Sequence, residues 1–112
     1  MKLKESDIQK AIVEYLILMD IYFFAINNEM AGWGKNAMIR TKYFVSMGLR
    51  AGASDLVLVL QGKVIFLEVK TETGRLSANQ RAFRNMVESL GHRYEVVRSV
   101  SDVEVLLSGK LS

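Results

Sequence analysis

Asp55, Glu68 and Lys70 are the residues of this chain whose types and spacing suit chemistry at a metal ion. Asp55 opens an apolar stretch (DLVLVL, 55–60), and Glu68-Val69-Lys70 closes the next one (VIFLEVK, 64–70). The connector Gln61-Gly62-Lys63 has a length that suits an antiparallel hairpin. If Leu60 stands opposite Lys63, then Asp55 stands opposite Glu68, and directly opposed side chains share a face roughly 4.5 to 5.5 Å apart. Residues two apart on a strand also share a face, which adds Lys70 to the pair. Two carboxylates and an ammonium therefore converge at one end of a sheet. Carboxylates this close repel each other, and apolar surroundings disfavour ionising either. Such a site is expected to carry a raised pKa or to recruit a divalent cation.

The elements that must position these groups are legible along the chain. Ser6 with Gln9 reads as a capping box, after which Ile8, Ala11, Ile12, Tyr15, Leu16 and Met19 recur at helical spacing. A first helix is expected to about Asp20, followed by a strand over Ile21–Ile26 (IYFFAI). The next stretch, to Gly52, contains Ala31-Gly32-Trp33-Gly34 and is too long for a passive connector, with room for a short helix over Met38–Met47. The hairpin has two apolar faces. Val57, Val59, Val64 and Phe66 lie on the side of the acids, and Leu56, Leu58, Leu60, Ile65 and Leu67 lie on the other. Strands of this kind belong in the middle of a sheet covered on both sides. Ser77-x-x-Gln80 begins a second capped helix to about Leu90, which Gly91 ends. A strand over Tyr94–Val97 and a short helix capped by Ser101-x-x-Glu104 complete the order helix, strand, hairpin, helix, strand, helix.

Composition narrows the chemistry. A length of 112 residues, half of them hydrophobic, suits one globular domain over 1–112. The longest apolar run of the first helix, Tyr15 to Met19, is far below the roughly 20 residues of a membrane span, and no signal pattern opens the chain, so a soluble intracellular protein with no membrane partner is expected. The absence of cysteine excludes disulfides, thiolate zinc sites and a cysteine nucleophile. The single histidine, His92, follows Gly91 at a helix end, where an imidazole commonly meets the negative end of the helix dipole. A metal here is therefore held by oxygen, which points to Mg2+ or Mn2+ and away from zinc. Residues 27–52 carry Lys35, Arg40, Lys42 and Arg50 against Glu29 alone, a balance equal to the whole net charge of +3. Basic charge beside a candidate metal site suits a polyanion such as nucleic acid, and equally a solvated face.

Gly52-Ala53-Ser54-Asp55, the apolar strand, Glu68-Val69-Lys70 and Ser77-x-x-Gln80 resemble the G-x-x-D, E-x-K and Q elements of the virus-type replication-repair nuclease domain (VRR-NUC) of the PD-(D/E)xK nuclease superfamily. Glu5-Ser6-Asp7-Ile8-Gln9 is also similar to that family's first helix, so the resemblance extends from about Glu5 to Val105. One departure is Ser54, where the superfamily's name implies proline before the first acid.

The resemblance implies an α/β, restriction-endonuclease-like fold: a mixed central sheet flanked by helices in α-β-β-β-α-β order. It further implies that Asp55, Glu68 and the backbone carbonyl of Val69 bind the metal, while Lys70 holds or activates the attacking water. Lysine suits that place as a base, a water holder or a stabiliser of the transition state. Gln80 completes a capping box without any chemistry, and the resemblance adds a catalytic role for it. For a further acid of the metal shell, Glu5 lies about 60° from Ile8 on the helical wheel and Glu14 about 120° from it, at 100° per residue. Glu5 is the expected ligand, Gln9 one turn on is able to share the role, and Glu14 reads as a solvated acid.

Lys35, Arg40, Lys42, Arg50, Arg75, Arg81 and Arg84 are candidate phosphate contacts, which position DNA without reading its sequence. Trp33 suits stacking on an exposed base or packing under its own loop. Nothing resembles a base-reading recognition helix or zinc finger. The expected function is thus a Mg2+- or Mn2+-dependent endonuclease acting on branched DNA as a homodimer, in the manner of Holliday junction resolvases and DNA-repair enzymes. Its expected setting is the cytoplasm of a bacterial or phage-infected cell. Two alternatives stay open: a sequence-specific or nicking nuclease of the same fold, and a catalytically silent DNA-binding module.

Overall fold

Leu60 stands opposite Lys63 across a two-residue turn in which Gly62 takes φ +76, a left-handed conformation that costs glycine little. That pairing fixes the hairpin register, and every other feature of the sheet follows from it. The structure, a computed structural model, describes residues 2–26 and 46–108. In chain order its elements are helix α1 (Glu5–Leu18), strands β1 (Tyr22–Ala25), β2 (Leu56–Leu60) and β3 (Lys63–Val69), helix α2 (Ala78–Ser89), strand β4 (Arg93–Val97) and helix α3 (Val100–Leu107). This is the expected α/β order with a mixed sheet between helices. The expected short helix over Met38–Met47 lies almost wholly outside the described residues, as do Trp33, Lys35, Arg40 and Lys42.

The four strands stand in the order β1-β2-β3-β4. β1 is antiparallel to β2, β2 to β3, and β4 runs parallel to β3 after the crossover through α2. The two apolar strands hold the centre, as a strand buried on both faces must. Leu56, Leu58, Ile65 and Leu67 are fully buried against Ile8, Ile12 and Leu16 of α1 and Val103 and Leu106 of α3. Each such side chain contributes about 1.5–3 kcal/mol by leaving water. The opposite face carries Phe66, whose ring meets Phe83 of α2 edge-on at 5.5 Å. Tyr94 of β4, paired with Phe66, also packs on Phe83, at 6.1 Å.

Helix ends show where local signals compete. α1 is capped two residues before Ser6: its N-cap is Lys4, whose N–H donates to Asp7 Oδ2 at 3.1 Å, so Ser6 is not the cap. α3 is capped by Ser99, not Ser101, with Asp102 N–H donating to Ser99 Oγ at 3.1 Å. Ser77 caps α2 as expected. Gly91, at φ +89, ends α2: its N–H reaches the Glu88 carbonyl and that of His92 the Val87 carbonyl, which satisfies the last turn. The His92 ring rests edge-on against Phe66 at 6.3 Å, a packing role.

Candidate functional site

The β2–β3 register, continued one pair beyond Leu56 and Leu67, sets Asp55 opposite Glu68. Asp55 is itself held between strands. Its carbonyl accepts from Ile26 N–H at 3.0 Å, and its Oδ2 accepts from Val69 N–H at 2.7 Å. That short bond from a backbone amide fixes the direction of the carboxylate. Glu68 is only 1% exposed, and its carboxyl lies within hydrogen-bonding reach of that of Asp55. Burial first, then the Asp55 charge and the hydrogen bond between the two, push Glu68 from 4.5 up to about 8, with Lys70 opposing them. Glu68 is thus held largely in its protonated form at neutral pH.

Lys70 follows the last residue of β3 and is 7% exposed. Its Nζ lies 4.0 Å from Glu68 Oε2 and 3.9 Å from Glu5 Oε2. Both distances exceed hydrogen-bond length, so the ammonium is held between two carboxylates without being committed to either. Glu5, the first residue of α1, leaves its side chain half exposed. Glu14 is exposed and, with Ser6, Gln9, Lys10 and Val13, borders a groove along α1 rather than the acid pair.

Gln80 joins the two readings of its sequence position in one amide group. Its Oε1 accepts from Ser77 N–H at 2.8 Å and closes the capping box, while its Nε2 donates to Glu68 Oε2 at 3.0 Å. Gly52 explains how α2 comes so near. At φ +82 a side chain is strained there, and a Cβ would stand 2.3 Å from the Asn79 carbonyl carbon, so only glycine lets the 50–53 turn touch the first turn of α2. Ser54, buried, turns its hydroxyl to the Leu56 carbonyl at 3.2 Å.

Of the basic residues that fall within the described parts, Arg50, Arg75 and Arg81 are exposed and Arg84 is half-buried. Arg81 also donates to the Leu76 carbonyl at 2.8 Å, and Arg84 to Asn85 Oδ1. Two residues near the site carried no signal in the sequence reading. Arg98 Nη1 donates to the carbonyls of Thr71 at 2.6 Å and Gly74 at 2.7 Å, which pins the turn between Lys70 and α2. Tyr94 lies under α2 with its hydroxyl buried.

The VRR-NUC domain profile matches residues 4–101, from the first turn of α1 to the start of α3. The chain belongs to the VRR-NUC domain family. Two solved structures are similar in fold. One, described as a VRR_NUC domain protein, superposes with a TM-score of 0.77 at 17% identity, covering 100% of this chain and 93% of its own. The other, described as a VRR_NUC domain, gives 0.66 at 22% identity, covering 94% and 95%. No curated protein matches the chain in sequence. The VRR-NUC fold is of nuclease type, and membership implies DNA as the partner. No helix among the described residues is long and apolar enough to cross a membrane.

The donor set of this VRR-NUC domain fits a hard divalent cation. It is made of oxygen, and Glu68 Oε1 is a buried acceptor without a hydrogen-bond partner among the described residues. No three acidic or imidazole groups among those residues stand close enough to form a ready cage. An ion at Asp55 and Glu68 would complete its coordination with backbone carbonyl, water and substrate oxygens, as magnesium commonly does.

Proposed function

We propose that this VRR-NUC domain is a Mg2+- or Mn2+-dependent endonuclease that hydrolyses phosphodiester bonds in branched DNA, as a homodimer. One observation carries the reading: the buried carboxyl of Glu68 stands beside the half-buried one of Asp55, with the ammonium of Lys70 4.0 Å from Glu68. A bound divalent ion would neutralise charge on the phosphate and acidify a water molecule. Asp55, fixed by Val69 N–H, and Glu68, fixed by Gln80, would hold it, with the Val69 carbonyl as the backbone donor and Glu5 as the outer acid. Lys70 would place the attacking water and meet the developing charge, since its Nζ is held near the acids without a short hydrogen bond.

Arg50, Arg75, Arg81 and Arg84 would contact phosphates, together with Lys35, Arg40 and Lys42 from outside the described residues. With contacts to the backbone alone, DNA is chosen by shape. One chain supplies one site, so symmetric cutting of two strands calls for two chains.

The test is a cleavage panel of four-way junction, flap and plain duplex DNA with Mg2+ or Mn2+, on wild type and Lys70→Ala. Branched substrates should be cut in preference to duplex, and Lys70→Ala should lose about 100-fold or more in rate while still binding DNA. Absence of cleavage on every substrate, with unaltered binding by Lys70→Ala, leaves a DNA-binding module. Cutting of plain duplex at a fixed sequence leaves a sequence-specific enzyme.

A further inference from the structure

Tyr94 belongs to the same pocket by topology. β4 runs parallel to β3 with Tyr94 opposite Phe66 and Val96 opposite Glu68, so Tyr94 rises from the acid-bearing face of the sheet. Its ring packs on Phe83, less than one helical turn from Gln80, whose amide holds Glu68. The residue is 6% exposed, and its hydroxyl is buried with no hydrogen-bond partner among the described residues. Glu68 Oε1 is in the same condition. One of these atoms is a donor without an acceptor, and the other is an acceptor without a donor. A buried hydroxyl left without a partner costs free energy, so a tyrosine whose oxygen meets no protein group among the described residues points to a small polar ligand. Burial, followed by the charges of Glu68 and Asp55, raises the Tyr94 phenol above its ordinary range against the pull of Arg84, which keeps it a proton donor.

Resting on the nuclease reading above, we infer that Tyr94 is a positioning residue: through one buried water its hydroxyl donates to Glu68 Oε1 and sets the orientation of the carboxylate that would meet the metal. A water with two or more polar partners is well suited to such a site. The arrangement also divides the labour at Glu68: Gln80 fixes Oε2, and the Tyr94 water fixes Oε1.

Tyr94→Phe removes one oxygen and keeps the ring against Phe83. Groups that orient a metal ligand commonly account for 10–100-fold in metal affinity or activity. The variant is therefore expected to raise the half-saturating Mn2+ concentration about tenfold, both in cleavage and in a titration of thermal unfolding, and to lower kcat with KM for DNA unchanged. Its metal-free Tm should fall, because a hydrogen bond is lost. A metal-free Tm that rises or stays level overturns the inference even if the chain is a nuclease, since it marks a hydroxyl with no partner at all. A lower Tm with wild-type Mn2+ titration and kcat also overturns it, leaving the group as structural. A wild type that neither binds Mn2+ nor cuts DNA defeats the nuclease reading itself, and the Tyr94 role falls with it.

Discussion

In metal-free protein, Glu68→Gln should stabilise the fold, and by more as pH rises. Glu68 is buried beside Asp55, and its pKa is pushed up from 4.5 to about 8. Because the folded value lies above the unfolded one, the stability tied to protonated Glu68 is complete below about 4.5 and is lost as pH rises through about 8. At roughly 1.4 kcal/mol for each pH unit, ionising Glu68 costs the metal-free fold up to about 5 kcal/mol. That is a large part of the 5–15 kcal/mol of a typical domain. Glutamine keeps the shape and still offers an oxygen to Gln80 Nε2, but it does not titrate. Chemical unfolding of both proteins in EDTA, from pH 5 to 9, measures the difference. The variant should gain on wild type between pH 5 and 8 and hold a constant lead above that. Saturating Mn2+ at pH 8 should narrow the gap, by about 2.7 kcal/mol at a hundredfold excess over Kd. A difference that is flat across the range, or that shrinks with pH, would refute the picture of a buried Glu68 held protonated beside Asp55.

Gly52→Ala should cost more than about 2 kcal/mol in unfolding experiments, because φ +82 and a Cβ set 2.3 Å from Asn79 combine strain with collision. Ser77→Ala should cost about 0.5–2 kcal/mol, the worth of a helix cap, and leave the rate at saturating Mn2+ near wild type. Gln80→Ala should show a similar stability loss in the same assay together with a clear fall in cleavage, since of the two cap side chains it is Gln80 that reaches Glu68.

The hairpin was fully legible in sequence because two independent signals agree on its register. The Gln61-Gly62 turn sets the pairing, and the alternation of Leu56, Leu58, Ile65 and Leu67 allows no slip that keeps them buried. The opposition of Asp55 and Glu68 follows from it. Helix starts were less legible where two candidates stood close together. Ser99 and Ser101 each precede an acid by three residues, and Ser99 wins because Asp102 also accepts from Arg98 N–H at 2.8 Å. Likewise the Asp7 carboxylate closes α1 back onto Lys4, a backbone partner that no residue type announces. Arg98 and Tyr94 were illegible for a different reason. The carbonyls that Arg98 binds are brought to it only by the parallel pairing of β3 with β4, and alternation alone makes Tyr94 one more core ring.

At a helix start of the form Ser-x-x-Gln, glutamate serves local stability as well as glutamine does. Position 80 is denied that freedom, because the arm of the amide not used by Ser77 points at Glu68. A glutamate there would set a further carboxylate against Glu68, the most deeply buried acid among the described residues, offering repulsion where a donor now stands. The choice between two side chains that differ by a single NH2 for oxygen is thus imposed from the sheet, across a gap of 3.0 Å, and not by the helix it begins.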